Sequence, residues 1–197
     1  GLKVNTLAGM PCWAIGQAVT AMVGQNMGAQ KIERVKKITR AGLGLNLSIT
    51  LIVVILVQIF AKPVIMLFDP VSTDVIEDGI LYLRICCGAN SLIYAVMYTF
   101  DSFAIGTGSA NIAMVNALLD AVIVRLPVSW LLAFAAGIGF PGVYIGQAVS
   151  PFIPAVAGWF YFRSRGWENR GLILKKTEQD KRQADGLGER TVERTDR

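Results

Sequence analysis

Histidine is absent from this sequence of 197 residues, and cysteine occurs only three times. The first absence excludes imidazole as a general base or metal ligand, which are its commonest functional roles. Cys12, Cys86 and Cys87 lack the spacing of a zinc or redox motif, and each lies in an apolar segment, where we interpret it as a small packing residue. We therefore expect no metal site.

Charge is also scarce, at 17% of residues, and falls almost entirely between or after five apolar stretches. Each stretch holds about the 20 residues that a helix needs to cross a bilayer. Strands of a membrane barrel would alternate apolar and polar residues, whereas segment 51–57 is apolar on every side. The sequence predicts an all-α polytopic helical membrane bundle of about five transmembrane helices, at residues 6–24, 41–60, 79–104, 112–136 and 142–162.

The bundle is predicted to occupy residues 1–163 and to be followed by a charged tail, 164–197. The tail mixes charges of both signs and has little apolar content, so we expect it to be largely disordered. A net charge of +5 would suggest nucleic acid as the partner of a soluble protein. Here the basic residues lie beside membrane spans, which favours anionic membrane lipid and not nucleic acid.

Orientation follows from the distribution of lysine and arginine. The loop between the first two spans has a single acidic residue, Glu33, and five basic ones: Lys31, Arg34, Lys36, Lys37 and Arg40. The next loop is acidic, with Asp69, Asp74, Glu77 and Asp78. Basic loops stay in the cytoplasm, so we predict that the first loop and the tail are cytoplasmic. The N-terminus then faces outward, which suggests that further spans precede it and that the chain is a fragment.

Three ionisable residues lie deep in predicted spans, namely Asp101, Asp120 and Arg125. A charge near the bilayer centre costs at least about 2.5–3.5 kcal/mol and usually faces a cavity or a partner. We therefore expect Arg125 to point inward. Asp120 and Arg125 are five positions apart, about 140° around an α-helix, so we predict that they do not pair and that each meets another helix.

The third span has a polar stripe, in which Asn90, Tyr94, Tyr98 and Asp101 follow one another at spacings of four, four and three. These spacings place the four side chains on one helical face. Such a face in a membrane lines either a water-filled cavity or a hydrogen-bonded seam between helices, and both alternatives stay open here.

Small residues repeat at every fourth position in two spans. The first strip is Gly16, Thr20, Gly24 and Gly28, and the second is Gly142, Gly146 and Ser150. Strips of this kind let another helix approach closely, so we predict that both are packing faces.

Several motifs resemble those of the multidrug and toxin extrusion (MATE) transporters. Residues 10–11 are Met-Pro, 16–18 are Gly-Gln-Ala, and 23–29 are Val-Gly-Gln-Asn-Met-Gly-Ala, with Arg34 following. This string is similar to the eighth-helix signature of the family. Further matches keep their order and spacing: Leu-Phe-Asp-Pro at 67–70, Tyr-Leu-Arg-Ile at 82–85, Gly-Thr-Gly at 106–108 and Val-Arg-Leu-Pro at 124–127.

The resemblance covers residues 1 to about 165 and implies helices eight to twelve of a twelve-helix exporter, with the N-terminal lobe of the same transporter as the missing partner. It implies an antiporter of the cytoplasmic membrane that exports organic, often cationic, drugs or toxins in exchange for sodium ions or protons. No covalent chemistry is implied, so we expect neither enzymatic activity nor a cofactor. Tyr94 stands where sodium-coupled members carry a carboxylate, which leaves Asp101 and Asp120 as the intramembrane carboxylates of this half. The candidate residues of the substrate or ion pathway are Gln17, Asn90, Tyr94, Tyr98, Asp101, Asp120 and Arg125.

Two alternatives remain beside the exporter. A related flippase for lipid-linked oligosaccharides would be expected to carry more cationic side chains in its cavity, where this chain has Arg125 alone at depth. A truncated or non-transporting membrane subunit is the other alternative.

Overall fold

The protein is described by a computed structural model that covers residues 2–68, 79–84, 86–135, 137 and 139–168. Within these residues the chain is helical and contains no strand. We number the long helices α1, Leu2–Gly28; α2, Ile32–Phe68; α3, Ser91–Gly106; α4, Ala110–Ala135; and α5, Phe140–Arg163. Residues 79–84 are also helical. The predicted helical membrane bundle is confirmed, while the acidic loop 69–78 lies outside the described residues.

Three of these helices are long and apolar enough to cross a membrane, counted over the described part of the chain: Ile32–Pro63 in α2, Ala110–Ala135 and Phe140–Arg163. Helix α3 is a shorter apolar helix. Large apolar side chains are exposed along the outside of the bundle, and α2 alone presents Leu51, Ile52, Ile55, Leu56, Ile59 and Phe60. An outer surface of this kind matches lipid hydrocarbon, because lipid tails are as apolar as leucine.

Helices α3, α4 and α5 depart from regular α-helix at defined points. A π-helical turn, Cys86–Asn90, leads into α3. Helix α4 contains two π-helical segments, Leu119–Arg125 and Leu131–Ala135, on either side of the α-helical Leu126–Trp130. Helix α5 is interrupted between Phe140–Val149 and Phe152–Arg163. Pro127 and Pro151 lie next to these departures. Because proline has no N–H, it cannot continue the α-helical hydrogen bonds at these points.

The first small-residue strip is a packing face of α1 against α3, as predicted. A methyl group added at Gly16 would collide with the ring of Tyr98 and with Ser102. Thr20 Oγ1 donates to the carbonyl oxygen of Ser102 at 3.0 Å, one turn further along. The contact ends beyond Gly24, because a methyl group at Gly28 would meet nothing within 4 Å.

The second strip is the face of α5 that packs on α4, again as predicted. A Cβ atom added at Gly142 would lie 2.7 Å from the carbonyl carbon of Leu132, and one at Gly146 would lie 2.8 Å from the backbone nitrogen of Ser129. The two backbones therefore approach closely at both glycines, with the small Ser129 hydroxyl also in contact at Gly146, which is the geometry that small residues permit in membranes.

A buried amide joins three helices of the bundle. Asn46 of α2 is fully buried. Its Nδ2 donates to Thr99 Oγ1 at 3.0 Å and to the carbonyl oxygen of Ala95 at 3.3 Å in α3, and it lies 3.3 Å from Cys12 Sγ in α1. The bundle is thus fixed at its centre by directional contacts as well as by packing.

One end of the bundle is closed by a cluster of aromatic and aliphatic side chains. Trp167, which follows α5, is fully buried against Val35 and Phe103. Its Nε1 donates to the carbonyl oxygen of Phe162 at 3.0 Å. Ordered packing therefore continues beyond the predicted boundary at residue 163, while the tail from 169 to 197 lies outside the described residues and its disorder stays a prediction.

Candidate functional site

A cavity of about 470 Å³ lies within the bundle and is lined by side chains from all five helices. This volume falls in the range of small-molecule sites, about 300–1,000 Å³. Six of the seven candidate pathway residues line it: Asn90, Tyr94, Tyr98, Asp101, Asp120 and Arg125. The seventh, Gln17, is exposed on α1 and is not part of the cavity lining.

The polar stripe of α3 lines this cavity and also takes part in a helix seam, so both alternatives hold on one face. The rings of Tyr94 and Tyr98 stack with their centroids 5.9 Å apart and their planes 13° apart. Tyr98 also closes over Gly16 of α1. The two rings therefore form a continuous aromatic wall, which can receive an apolar or cationic group on its face.

Asp101 is buried and held by an amide from the next helix. Asn116 Nδ2 donates to Asp101 Oδ1 at 2.7 Å, and both residues are buried. Asn116 lies on α4 one turn before Asp120, and its side chain joins α4 to α3. This bond orients the Asp101 carboxylate at the edge of the cavity.

The prediction that Asp120 and Arg125 do not pair was wrong. Arg125 Nη2 lies 2.7 Å from Asp120 Oδ2. The reason is the π-helical segment Leu119–Arg125, because hydrogen bonding from i to i+5 brings residues five positions apart onto one face. The expectation that Arg125 points inward is confirmed by its place in the cavity wall, and its Nε also donates to Ser150 Oγ of α5 at 3.4 Å.

Two acceptor atoms at this site have no hydrogen-bond partner among the described residues. They are Asp120 Oδ1 and Asn90 Oδ1, which belong to residues that line the same cavity. Buried polar atoms are usually satisfied by a partner, a water or an ion. These oxygens can accept a hydrogen bond or coordinate a cation, and the pairing of Asp120 with Arg125 leaves the first of them free to do so.

No group of three or more histidine, cysteine or carboxylate side chains close enough to hold a metal ion occurs in the described ranges. Cys12 and Cys87 are buried. Both lie in helix contacts, in agreement with their interpretation as packing residues.

Comparison with known proteins gives a consistent set of similarities. The MatE family model matches residues 1–131. A protein named "Probable multidrug resistance protein NorM" from Thermotoga maritima is 28% identical over 178 residues, which are 89% of this chain and 38% of that protein. "Probable multidrug resistance protein YpnP" from Bacillus subtilis is 26% identical over 174 residues, which are 88% and 38% of the two chains.

Solved structures show the same fold. One, described as an inward-facing conformation of a multidrug resistance MATE family transporter, superposes with a TM-score of 0.78 at 20% identity and covers 89% of this chain and 39% of its own. The MATE transporter ClbM in complex with Rb⁺ gives a TM-score of 0.73 at 24% identity, with 85% and 41% covered. The chain therefore spans about two fifths of the length of these proteins.

Proposed function

The chain belongs to the MatE family, which is the family its motifs resemble, and we propose that it forms one lobe of a carrier that exports organic, often cationic, molecules in exchange for sodium ions or protons. Relatives named as multidrug resistance proteins support the export of drug-like molecules. The chain covers 38% of each of them, so the proposal includes an N-terminal lobe as its partner.

The observation that carries this proposal is the composition of the cavity between the helices. Two carboxylates, Asp101 and Asp120, and the tyrosine pair line one cleft in a membrane bundle. Ionisable groups within a membrane mark substrate or ion pathways, and an aromatic wall beside carboxylates suits an amphipathic cation. Carriers of this type alternate access by rocking two lobes about a central site, and the second lobe would close the cavity from the other side.

We assign the coupling ion to the carboxylates of this lobe. Asp101 accepts one bond from Asn116, and Asp120 keeps one oxygen without a partner among the described residues. A carboxylate that exchanges its bound cation with each cycle links the ion gradient to the movement of the lobes. Asp101 has no cationic partner within the described chain, whereas Asp120 has Arg125, so Asp101 is the stronger candidate for ion exchange.

The test is efflux of ethidium from cells that produce this chain together with its N-terminal lobe. We expect efflux from the pair and none from residues 1–197 alone, because one lobe cannot open alternately to two sides. In the pair, Asp101→Asn is expected to abolish the dependence of efflux on the sodium or proton gradient, while Glu33→Gln, an exposed carboxylate at the start of α2, leaves it unchanged.

If neither Asp101→Asn nor Asp120→Asn alters the gradient dependence, the coupling ion does not bind in this lobe. Gradient-driven efflux from the isolated chain would instead indicate a small carrier that self-associates, and the two-lobe proposal would fail.

The proposed location is the cytoplasmic membrane, with the basic loop and the tail in the cytoplasm. The segment 29–40, which consists of the short turn after α1 and the first turns of α2, contains five basic residues and one acidic residue, and short basic connections between spans remain inside. In a variant without Cys12, Cys86 and Cys87, we expect a cysteine at Gln30 to be shielded from an impermeant thiol reagent in intact cells. A cysteine at Ser72, which lies outside the described residues, is expected to react. Labelling at position 30 without permeabilisation would reverse the orientation.

A further inference from the structure

A second cavity, of about 600 Å³, opens where α2 begins and α5 ends, and it shares no lining residue with the first. We call it the basic groove. Its walls include the aromatic rings of Phe100, Trp159 and Phe162. Four basic side chains line it as well: Lys36, Arg40, Arg163 and Arg165. A concave site that combines aromatic walls with clustered positive charge is suited to an anionic amphiphile.

Two of the four basic groups are already neutralised. Lys36 Nζ lies 3.1 Å from Glu33 Oε1 and 3.0 Å from Glu168 Oε1. Arg165 Nε lies 3.9 Å from the same Glu168 oxygen. These contacts engage Glu33 and Glu168, and the bond from Lys36 to Glu168 holds the segment after α5 against α2.

Arg40 and Arg163 keep their charge unneutralised, since neither has an ion pair with a carboxylate among the described residues. The guanidinium of Arg163 stands over the ring of Trp159, 5.5 Å from its centroid. Stacking holds the guanidinium plane in position while its N–H groups remain available, and arginine in this state binds phosphate through paired hydrogen bonds. The groove therefore offers two guanidinium groups, of which that of Arg163 is positioned by Trp159, and no ion pair among the described residues competes for either.

An apolar surface continues from these arginines along both helices. The basic groove lies at the N-terminal end of α2 and at the C-terminal end of α5. Arg40 and Arg163 therefore lie at the same height along the bundle. Below them, the spacing of three and four residues keeps apolar side chains on the same faces as the arginines: Leu43 and Leu47 on α2, and Phe152, Val156 and Trp159 on α5. Phe152, Val156 and Trp159 are exposed. This change from charge to hydrocarbon matches the division of a phospholipid into head group and acyl chain.

We propose that the basic groove binds one anionic phospholipid. Its phosphate lies between Arg40 and Arg163, and an acyl chain lies along Leu43 and Trp159. The site concerns the bundle as a membrane protein and does not depend on the export activity. The helical membrane fold supplies the setting, because at this level of a bilayer the abundant anions are lipid head groups.

The experiment uses the full chain of 197 residues in bilayers of phosphatidylcholine with a fixed minor fraction of brominated lipid, since bromine quenches tryptophan fluorescence on contact. We expect stronger quenching by brominated phosphatidylglycerol than by the same fraction of brominated phosphatidylcholine. Trp159→Phe is expected to remove this difference, which identifies Trp159 as the reporter among the four tryptophans. Arg40→Gln and Arg163→Gln are each expected to lower the preference for phosphatidylglycerol about fivefold, the equivalent of about 1 kcal/mol per basic residue.

The matched control is Lys31→Gln with Lys37→Gln, which removes two charges from exposed positions outside the groove. It is expected to keep the preference that the double variant Arg40→Gln with Arg163→Gln loses. An equal loss in the control means that the surface attracts lipid diffusely, and the proposal is then wrong. It is also wrong if the wild type shows no preference between the two lipids, since the groove then selects no anionic lipid. It is wrong as well if soluble glycerol 3-phosphate binds as strongly as the lipid, since the acyl chain would then contribute nothing and the groove would be a site for a phosphate anion.

Discussion

Replacing Arg125 with Met is expected to lower the free energy of unfolding by about 3 kcal/mol. The change removes the partner of Asp120 Oδ2, 2.7 Å away, and leaves a carboxylate that is buried with no cation beside it. Breaking a buried ion pair from one side costs about 3–5 kcal/mol. We take the lower end of this range because the Arg125 side chain is 38% exposed, so the pair is only partly buried. Unfolding in mixed detergent micelles, followed by circular dichroism, measures the effect.

The matched comparison is a double-mutant cycle between these two residues. Asp120→Asn with Arg125→Met replaces the pair by two uncharged groups, so it is expected to restore much of the stability that Arg125→Met loses. If Arg125→Met is as stable as the wild type, the pair is not formed in the folded protein. The π-helical conformation of Leu119–Arg125, which brings the two residues together, would then also be wrong.

Replacing Gly146 with Ala is expected to destabilise the protein by up to about 3 kcal/mol. The added methyl group would lie 2.8 Å from the backbone of Ser129, and backbone atoms cannot turn aside as a flexible side chain can. Overpacking of a close contact costs about 1–3 kcal/mol, and the only relief here is to move α5 away from α4. That movement would also separate Ser150 from Arg125, so the effect extends from the packing face to the cavity.

The control is Gly44→Ala, because Gly44 is exposed on α2 and a methyl group there would meet nothing within 4 Å. Alanine is the better helix former by about 1 kcal/mol, so this variant is expected to be as stable as the wild type or slightly more so. If Gly146→Ala unfolds like Gly44→Ala, the two helix backbones are not in direct contact.

The helical bundle was predictable because membrane-spanning helices are identified by long apolar runs in the sequence. Recognising such a run requires no knowledge of how the helices pack. The two small-residue strips were equally accessible, since a spacing of four residues defines a face on any regular α-helix. The contacts of Asn46 were not predicted, although a signal exists in its position as the only asparagine within the apolar run 41–60. What the sequence does not contain is the identity of its partners, because these depend on how far each helix is rotated about its axis.

In the candidate site, too, some features were predictable from regular helix geometry and others were not. The stripe from Tyr94 to Asp101 was predictable because α3 keeps α-helical periodicity from Ser91 onward, and Asn90 joins it from the end of the preceding π-helical turn. The Asp120–Arg125 pair was missed because the calculation of 140° assumes 3.6 residues per turn throughout α4. Pro127, two positions after Arg125, was the available warning, since a proline in a helix often accompanies a local change of hydrogen bonding. Gln17 was a candidate because it belongs to a family motif. A motif does not specify whether a side chain points into the bundle or away from it, and Gln17 is exposed on α1.

The π-helical segments of α4 also bear on the match between protein and membrane thickness. As a regular α-helix, the 26 residues of Ala110–Ala135 would extend about 39 Å, beyond the roughly 30 Å of a hydrocarbon core. A wider turn holds more residues and so advances less along the helix axis per residue. The two π segments shorten α4 without removing apolar residues, which reduces the tilt or local thickening that a longer helix would impose on the bilayer.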